Sequence, residues 1–272
     1  MKKLLMLFLA LACLPVMVCG CAGAQELRVE FFDVGKADAM LITTPGGARI
    51  LIDAGTNKNG KALAERFERA GIGPIDLMII THYDKDHVGG ADKIIEDVGV
   101  RQVIMPVYDK ESKQYEQFAE AVETCGVPAV RMPIGGETTM DIGGVTLRIT
   151  AAHETWYGRD EENDFSLCVR MTYGDTRFLF PGDAEDPRQR ELLKEGDVAC
   201  DVLKVPYHGR LVAASQDFLS AAAPEIAFIP DSEEDQADLL VHAILSELGV
   251  EVYSAQQGDL TVVSDGKSVR AL

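Results

Sequence analysis

The sequence predicts an α/β fold in which β-sheets are covered on both faces by helices. Short strands alternate with amphipathic helices along the chain, and many of the strands are apolar over their whole length. Strands of that kind are typical of sheets buried on both faces. No Pro/Gly/Ser-rich linker divides the 272 residues, a length that suits one large domain. We therefore expect one domain over residues 27–272.

The first half of this domain is predicted to begin with strands and to continue with alternating helices and strands. The predicted strands are Leu27–Phe32, Ala39–Thr43, Arg49–Ile52, Leu77–Thr81, Gln102–Met105 and Ala129–Met132. The predicted helices are Lys61–Ala70, Gly90–Val98 and Glu111–Thr124. Gly71 is a suitable stop for the first of these helices, because glycine readily adopts the left-handed conformation that ends a helix.

The second half repeats this alternation and ends in a predicted hairpin around Asp265-Gly266. The predicted strands are Val145–Thr150, Phe165–Thr172, Arg177–Phe180, Asp201–Val205, Ile226–Ile229, Val250–Tyr253, Asp259–Val263 and Ser268–Ala271. The predicted helices are Pro187–Lys194, Gln216–Ala222 and Ala237–Leu248. Strands thus outnumber helices.

Residues 1–20 have the pattern of a secretory signal peptide. Lys2 and Lys3 precede an uncharged apolar stretch, Leu4–Val18, which is too short and wrongly flanked for a membrane span. The segment ends in Val-Cys-Gly-Cys21, which resembles a bacterial lipobox and implies cleavage before Cys21 and lipidation of its sulfur. Residues 21–26 would then be a short tether to the outer face of the cytoplasmic membrane. The alternative is ordinary cleavage after Ala24 and secretion.

The chain is strongly acidic, with 26 Lys+Arg against 44 Asp+Glu. Removal of the signal peptide, which holds two of the lysines and no acidic residue, would leave a net charge of −20. Bulk polyanions are repelled by such a protein, so long duplex nucleic acid is disfavoured as a substrate. Of the later cysteines, Cys125, Cys168 and Cys200, the last two lie in or beside apolar strands and are expected to be buried free thiols.

The segment Thr81–Gly90 concentrates side chains that bind metal ions. Two imidazoles and two carboxylates, from His82, Asp84, Asp86 and His87, fall within six positions directly after an apolar strand. Carboxylates brought together in a desolvated place repel one another unless a cation or hydrogen bonds compensate. Histidine and aspartate together suit Zn²⁺ or Mn²⁺. The segment therefore predicts a divalent-metal site.

Further polar residues follow other predicted strands in the same way. Asp53 follows Arg49–Ile52, Asp183 follows Arg177–Phe180, and His208 follows Asp201–Val205. Sites on such sheets lie at the carboxyl ends of the strands, where residues distant in sequence can meet.

Four segments together resemble the metallo-β-lactamase superfamily: Ile50–Gly55, Thr81–Gly90, Phe180–Glu185 and Tyr207–Gly209. Three more resemble the hydrolase domain of ComEC-type DNA-uptake proteins: Phe31–Asp38, Asn163–Arg170 and Gly258–Gly266. The similarity runs from about Arg28 to Lys267. It implies a four-layer αβ/βα sandwich of two mixed β-sheets flanked by helices.

The resemblance also implies roles for single residues. One metal ion would take Asp86, His87 and His208, the other His82 and Asp84, and Asp183 would bridge them. Asp86 and Asp183 would then be catalytic as well as ligands, and a water or hydroxide between the ions would be the nucleophile. Asp53 would orient a ligand imidazole, and Asn163 and Ser166 would also lie behind the ligands. The implied cofactor is a pair of divalent ions, Zn²⁺ first and Mn²⁺ as the alternative.

The sequence departs from the superfamily pattern at several of these positions. Asp84 stands where the broader superfamily has histidine, and Asn163 and Ser166 occupy the region of a further histidine ligand, as in the ComEC-like branch. Tyr207, Arg210 and Lys36 replace a usual His, Ser and Gln. Lys36 and Arg210 would add positive charge at the mouth of the site, where an anionic phosphate could bind with Tyr207 beside it.

These observations favour a binuclear metal-dependent hydrolase, with a phosphodiester as its expected substrate. A small or surface-tethered phosphodiester suits the negative charge better than long duplex DNA. Two alternatives stay open: a non-catalytic, metal-stabilised binding protein of the cell surface or of DNA uptake, and a β-lactamase-type amide hydrolase. No obligate protein partner is indicated.

Overall fold

The computed structural model describes residues 26–158 and 162–272. The predicted signal peptide, and with it Cys21 as a lipidation site, lies outside the described residues. Within the described part of the chain, no helix is both long and apolar enough to cross a membrane.

An eight-stranded mixed sheet forms the first half of the fold and takes its last two strands from the C-terminus. Its order is β15-β14-β1-β2-β3-β4-β5-β6. The strands are β1 Leu27–Phe31, β2 Met40–Thr43, β3 Arg49–Ile52, β4 Leu77–Ile79, β5 Val103–Pro106, β6 Ala129–Met132, β14 Leu260–Ser264 and β15 Val269–Ala271. All eight lie within two residues of the strands that the sequence predicts.

A seven-stranded mixed sheet forms the second half, in the order β13-β12-β11-β10-β9-β8-β7. The strands are β7 Glu137–Ile142, β8 Val145–Thr150, β9 Cys168–Tyr173, β10 Thr176–Phe180, β11 Val202–Lys204, β12 Ile226–Ile229 and β13 Glu251–Ser254. Strand β7 was not predicted from the sequence. This edge strand alternates exposed and half-buried residues, so it carries no apolar run.

Six helices cover the outer faces of the two sheets. They are α1 Asn57–Arg69, α2 Ala91–Lys93 with a wider turn over Ile94–Val98, α3 Lys113–Thr124, α4 Asp186–Glu195, α5 Ser215–Ala222 and α6 Leu239–Glu247. Helix α1 begins four residues before its predicted start, because Thr56 caps it: the Thr56 hydroxyl accepts from the Asn59 N–H, and the Asn59 side chain accepts from the Thr56 N–H.

Three apolar clusters make this arrangement a four-layer sandwich. The central cluster joins residues of both sheets, with the Phe31 ring 4.9 Å from Phe228 and 6.1 Å from Phe180. An outer cluster packs the first sheet against α1, α2 and α3, and another packs the second sheet against α4, α5 and α6. The predicted α/β class and sandwich are thereby confirmed.

The strand directions bring the predicted ligands to one edge of the sandwich. Strand β3 runs parallel to β4 in the first sheet, and β10 runs parallel to β11 in the second. Strand β1 runs the same way as β3, since both are antiparallel to β2. The segments after β1, β3, β4, β10 and β11 therefore share this edge, where the parallel strands end.

Candidate metal centre

Three histidines turn one ring nitrogen toward a common centre. The Nδ1 atom of His208 lies 2.8 Å from the Pro230 carbonyl oxygen, and that of His87 lies 2.9 Å from Asp53 Oδ2. Both partners only accept hydrogen bonds, so these Nδ1 atoms carry protons. The Nε2 atom of each ring therefore faces the centre and is the atom that a metal ion would bind in place of any proton. His82 Nδ1 lies 3.1 Å from the Thr81 hydroxyl, which leaves its Nε2 facing the same centre.

Four side chains, Asp183 included, bring ligand-type atoms together at spacings that suit a bound ion. Asp183 Oδ2 lies 2.8 Å from His208 Nε2 and 3.3 Å from His87 Nε2, and the two nitrogens are 3.4 Å apart. Asp86 Oδ2 lies 3.5 Å from His208 Nε2. Tetrahedral ligands at bond lengths of about 2.0–2.1 Å are about 3.3 Å apart. We call this set, Asp86, His87, Asp183 and His208, the His87–His208 position.

The other predicted ligand group is looser. His82 Nε2 is buried and has no hydrogen-bond partner among the described residues. The nearest carboxylate oxygen that pairs with it is Asp84 Oδ2, at 3.9 Å. Asp84 is also held from its other side, because Lys110 Nζ contacts its Oδ1. We call this group, His82, Asp84 and the shared Asp183, the His82 position.

A buried lysine that the sequence analysis missed holds the shared carboxylate. Lys204 is fully buried at the end of β11, and its ammonium lies 2.9 Å from Asp183 Oδ1 and 2.6 Å from Asp38 Oδ2. Lys204 also donates to the Gly182 carbonyl oxygen at 2.9 Å. This leaves Asp183 Oδ2 free to face the imidazoles. The sequence does give one indication of this role. Lys204 is a charged residue inside the apolar strand Val202–Lys204, and a charge buried in such a strand requires a buried partner.

Asp38 was also missed, and it lies behind the imidazoles. It can be grouped with His87, Asp183 and His208 as a set of potential ligands. Its oxygens, however, approach the Nδ1 atoms of His87 and His208, both at 3.8 Å, and not the Nε2 atoms that face the centre. We therefore assign Asp38 to the support of the site, together with Lys204.

The pKa values reflect this crowding of charge. Burial, and after it the charge of the neighbouring His87, lower the pKa of His82 to about 4, so His82 is neutral at pH 7. Burial alone would raise the pKa of Asp183, but the charges of His208, Lys204 and His87 hold it well below its usual value. Asp183 is thus an ionised carboxylate and His82 a neutral imidazole. These are the protonation states in which the two side chains bind a metal ion.

The residues predicted to support the ligands have different surroundings. Asp53 contacts His87 and also accepts from the Thr81 N–H at 2.8 Å. The Ser166 hydroxyl accepts from the Asp183 N–H at 3.0 Å and lies 3.4 Å from His82 Nδ1. Asn163 instead donates from its side chain to Glu185 at 2.7 Å. The structure thus places Asp53 and Ser166 directly behind ligands and turns the Asn163 amide group toward Glu185.

The backbone is strained where His208 is presented. Tyr207 and His208 have φ angles of 52° and 51°, in the left-handed region that non-glycine residues rarely adopt. Such strain is held by surrounding contacts and is common at functional sites. It turns the His208 ring toward Asp183, while the Tyr207 side chain stays half-buried at the surface.

The predicted substrate-binding residues do converge at the mouth of the site. Lys36 Nζ lies 3.7 Å from Asp86 Oδ2 and 3.6 Å from Asp235 Oδ2, and Arg210 pairs with Asp235 at 2.9 Å. The Arg210 guanidinium lies 5.7 Å from the centre of the Tyr207 ring. An open cavity of about 290 Å³ flanks the ligands; it is lined by Asp84, Lys85, Asp86, Lys110, Ser112 and Gln114.

These donors fit divalent metal ions. Nitrogen and carboxylate oxygen are the ligands of Zn²⁺ and Mn²⁺, the four atoms of the His87–His208 position are spaced as ligands, and His82 Nε2 is a buried lone pair without a partner. A buried polar atom left unpaired is costly unless something binds it.

Comparison with known proteins agrees with this geometry. A family model described as the metallo-beta-lactamase superfamily matches residues 32–230. The chain belongs to the metallo-β-lactamase superfamily. Its predicted likeness to the ComEC-like branch is also confirmed. ComE operon protein 3 of Bacillus subtilis is 24% identical over 224 residues, which make up 76% of this chain and 28% of that protein.

Two other similarities bear on activity and on fold. A metal-dependent hydrolase of Cupriavidus necator is 31% identical over 129 residues, covering 46% of this chain and 41% of that protein. The metallo-β-lactamase fold protein YhfI of Bacillus subtilis has 13% sequence identity and a TM-score of 0.58, covering 88% of this chain and 100% of that one. The chain is thus a member of this superfamily with a candidate metal site at Asp183, and one of its relatives is named a metal-dependent hydrolase.

Proposed function

We propose that this protein is a binuclear metal-dependent phosphodiesterase. The observation that carries the proposal is the approach of His208 Nε2 to Asp183 Oδ2, His87 Nε2 and Asp86 Oδ2, at 2.8, 3.4 and 3.5 Å, beside the unpaired His82 Nε2. When bound, two divalent ions supply an activated water and neutralise the charge that develops on phosphate oxygens.

The charge of the site supports two ions over one. Five carboxylates surround the centre, and Lys204 is the fully buried ammonium among them; Lys110 and Glu162 cancel each other beside Asp84. The carboxylates, listed together, are Asp38, Asp53, Asp84, Asp86 and Asp183. When they are all ionised, Lys204 leaves an excess of four negative charges, and Lys36, 3.7 Å from Asp86 Oδ2, reduces it to three. One divalent ion would not balance this excess. Uncompensated buried charge would otherwise oppose folding.

The chain's own residues prepare the site for this chemistry. Asp53 and the Pro230 carbonyl oxygen hold the Nδ1 side of His87 and His208, so that Nε2 of each ring is the atom that would bind a metal ion. Lys204 holds Asp183 Oδ1, which keeps the other oxygen between the imidazoles. These contacts hold the rings and the carboxylate in position before an ion or a substrate arrives.

A phosphodiester fits the mouth better than an uncharged ester or amide does. Lys36 and Arg210 bring positive charge to an otherwise acidic protein, and both form ion pairs with Asp235. A bound phosphate could replace Asp235 as the partner of these two side chains. Because the net charge repels long polyanions, we favour a small or surface-tethered phosphodiester over long duplex DNA.

We also propose that the protein is exported and anchored by lipid on Cys21. The support is the sequence alone: two lysines, an uncharged apolar stretch and a lipobox-like Val-Cys-Gly-Cys21. Radiolabelled palmitate should be incorporated by the wild type and not by Cys21→Ala. Secretion without label would support cleavage after Ala24 instead.

The activity is tested with bis-p-nitrophenyl phosphate in the presence of Mn²⁺ or Zn²⁺. The wild type should hydrolyse it, and Asp183→Ala and His208→Ala should abolish turnover. Lys85→Met, a change of an exposed residue beside the ligands, should keep most of it. A folded, metal-loaded wild type without turnover would overturn the proposal in favour of a binding protein, and turnover of nitrocefin instead would indicate an amide hydrolase.

A further inference from the structure

Lys110 is a cation placed at one of the two proposed metal positions. It lies in the loop between β5 and α3, and its side chain is 21% exposed. Its ammonium contacts Asp84 Oδ1 and Glu162 Oε2 together. No motif of the sequence singles out this lysine, and it is not among the proposed ligands or substrate-binding residues.

Asp84 divides its two oxygens between this lysine and the metal centre. Oδ1 contacts Lys110, whereas Oδ2 points toward His82 Nε2 from 3.9 Å. Ligand atoms on one small divalent ion are about 3.3 Å apart. Asp84 must therefore approach His82 to share an ion with it, and this movement draws the carboxylate away from Lys110 or brings the ammonium close to the ion.

The His87–His208 position carries no such conflict. Its lysine, Lys204, contacts the outer oxygen of Asp183 and leaves Oδ2 within 2.8–3.3 Å of two imidazoles. It also has two imidazoles, whereas the His82 position has one imidazole and a carboxylate already paired with an ammonium. Nitrogen ligands favour Zn²⁺ and its neighbours, so the His87–His208 position should bind the tighter ion.

We propose that Lys110 competes with the metal ion for Asp84, so that the two positions fill in order: the His87–His208 position at low metal concentration, and the His82 position only at higher concentration. The inference rests on the proposed binuclear site and adds a residue that sets its occupancy. Lys110 is a positioning residue in this account. Glu162 stabilises the competing state, because it gives the ammonium a second carboxylate.

The test is equilibrium dialysis of the metal-free full chain against Mn²⁺, with metal analysis of the protein. The wild type should bind one ion tightly and a second more weakly. Lys110→Met should tighten the second step by roughly tenfold, because a unit charge about 5 Å from a divalent ion opposes binding by that much even at high dielectric constant. The first step should change less than threefold.

Two controls separate charge from other effects. Lys110→Arg keeps the charge and should keep the second step weak, while Lys85→Met removes an exposed lysine from the same cavity lining and should shift that step less than threefold. Circular dichroism and thermal unfolding of the metal-free proteins check that each variant folds. Lys110→Gln replaces the methionine variant if that one does not fold.

The outcomes distinguish this inference from the proposed function. A second step that is unchanged or weaker in Lys110→Met would overturn the inference, since Lys110 would then be orienting Asp84. Equal affinity at both steps in the wild type would also overturn it while leaving the binuclear site intact. A wild type and a methionine variant that both bind a single ion would overturn the binuclear proposal itself.

Discussion

Removal of the Lys204 ammonium should destabilise the metal-free protein strongly. Lys204→Met leaves Asp38 and Asp183 facing each other without the cation that joins them at 2.6 and 2.9 Å, and Lys204 and Asp38 are fully buried. Loss of one partner of a buried ion pair costs about 3–5 kcal/mol. For a protein of this size, such a loss corresponds to a fall in Tm of roughly 10 °C.

Thermal and urea unfolding of metal-free wild type and Lys204→Met measure this loss. Saturating Zn²⁺ should recover part of it, because bound ions compensate Asp183 when the ammonium is gone. Lys85→Met, which removes an exposed lysine, should change stability by less than about 0.5 kcal/mol. A loss below about 1 kcal/mol in Lys204→Met would refute the argument that this lysine neutralises the two carboxylates.

Three further predictions concern metal orientation, pH dependence and substrate charge. Asp53→Asn can still accept from the Thr81 N–H but presents a donor to His87 Nδ1, so Mn²⁺ affinity in equilibrium dialysis should fall by about 10–100-fold. Burial raises the pKa of Asp164 to about 7. Between pH 4 and 7 the native state therefore holds a proton on Asp164 that the unfolded state lacks. The free energy of unfolding should fall as pH rises through that range. Asp164→Asn should remove this fall. In urea unfolding, the unfolding free energy of the variant minus that of the wild type should therefore be about 2 kcal/mol larger at pH 8 than at pH 5. Arg210→Gln should raise KM for bis-p-nitrophenyl phosphate by about tenfold with a smaller effect on kcat.

Each of these predictions has a result that contradicts it. Metal affinity within threefold of wild type in Asp53→Asn would mean that His87 needs no partner on Nδ1. A wild-type stability that stays constant or rises from pH 5 to 8 would contradict the account of Asp164. An Arg210→Gln variant with unchanged KM would place the phosphate elsewhere, and Arg190→Gln, which removes an exposed ion pair with Asp186, is the matched control.

The strands and the ligands could be predicted because local sequence carries both signals. Central strand Ile226–Ile229 is apolar throughout, and Arg49–Ile52 is apolar after its first residue, since helices and the other sheet cover them. Asp183 and His208 follow such strands, and the direction of parallel strands places strand ends together. Edge strand Glu137–Ile142 was missed because a strand with exposed faces needs no apolar run.

The supporting charges could not be predicted because they depend on contacts between distant segments. Asp38 and Lys204 are 166 positions apart and meet only when the two sheets pack. Lys110 reaches Asp84 and Glu162 from a loop whose sequence shows no periodicity. The lone charge inside strand Val202–Lys204 indicates that a buried partner exists. It does not indicate which residue that partner is.

Anomalous diffraction from crystals grown with Mn²⁺, at high metal concentration, tests the central claim most directly. The account predicts two peaks about 3.5–4 Å apart, each marking one metal ion. Asp183 should bind both ions, while Asp86, His87 and His208 bind one of them and His82 and Asp84 bind the other. A single peak, or two peaks without Asp183 as a shared ligand, would contradict it.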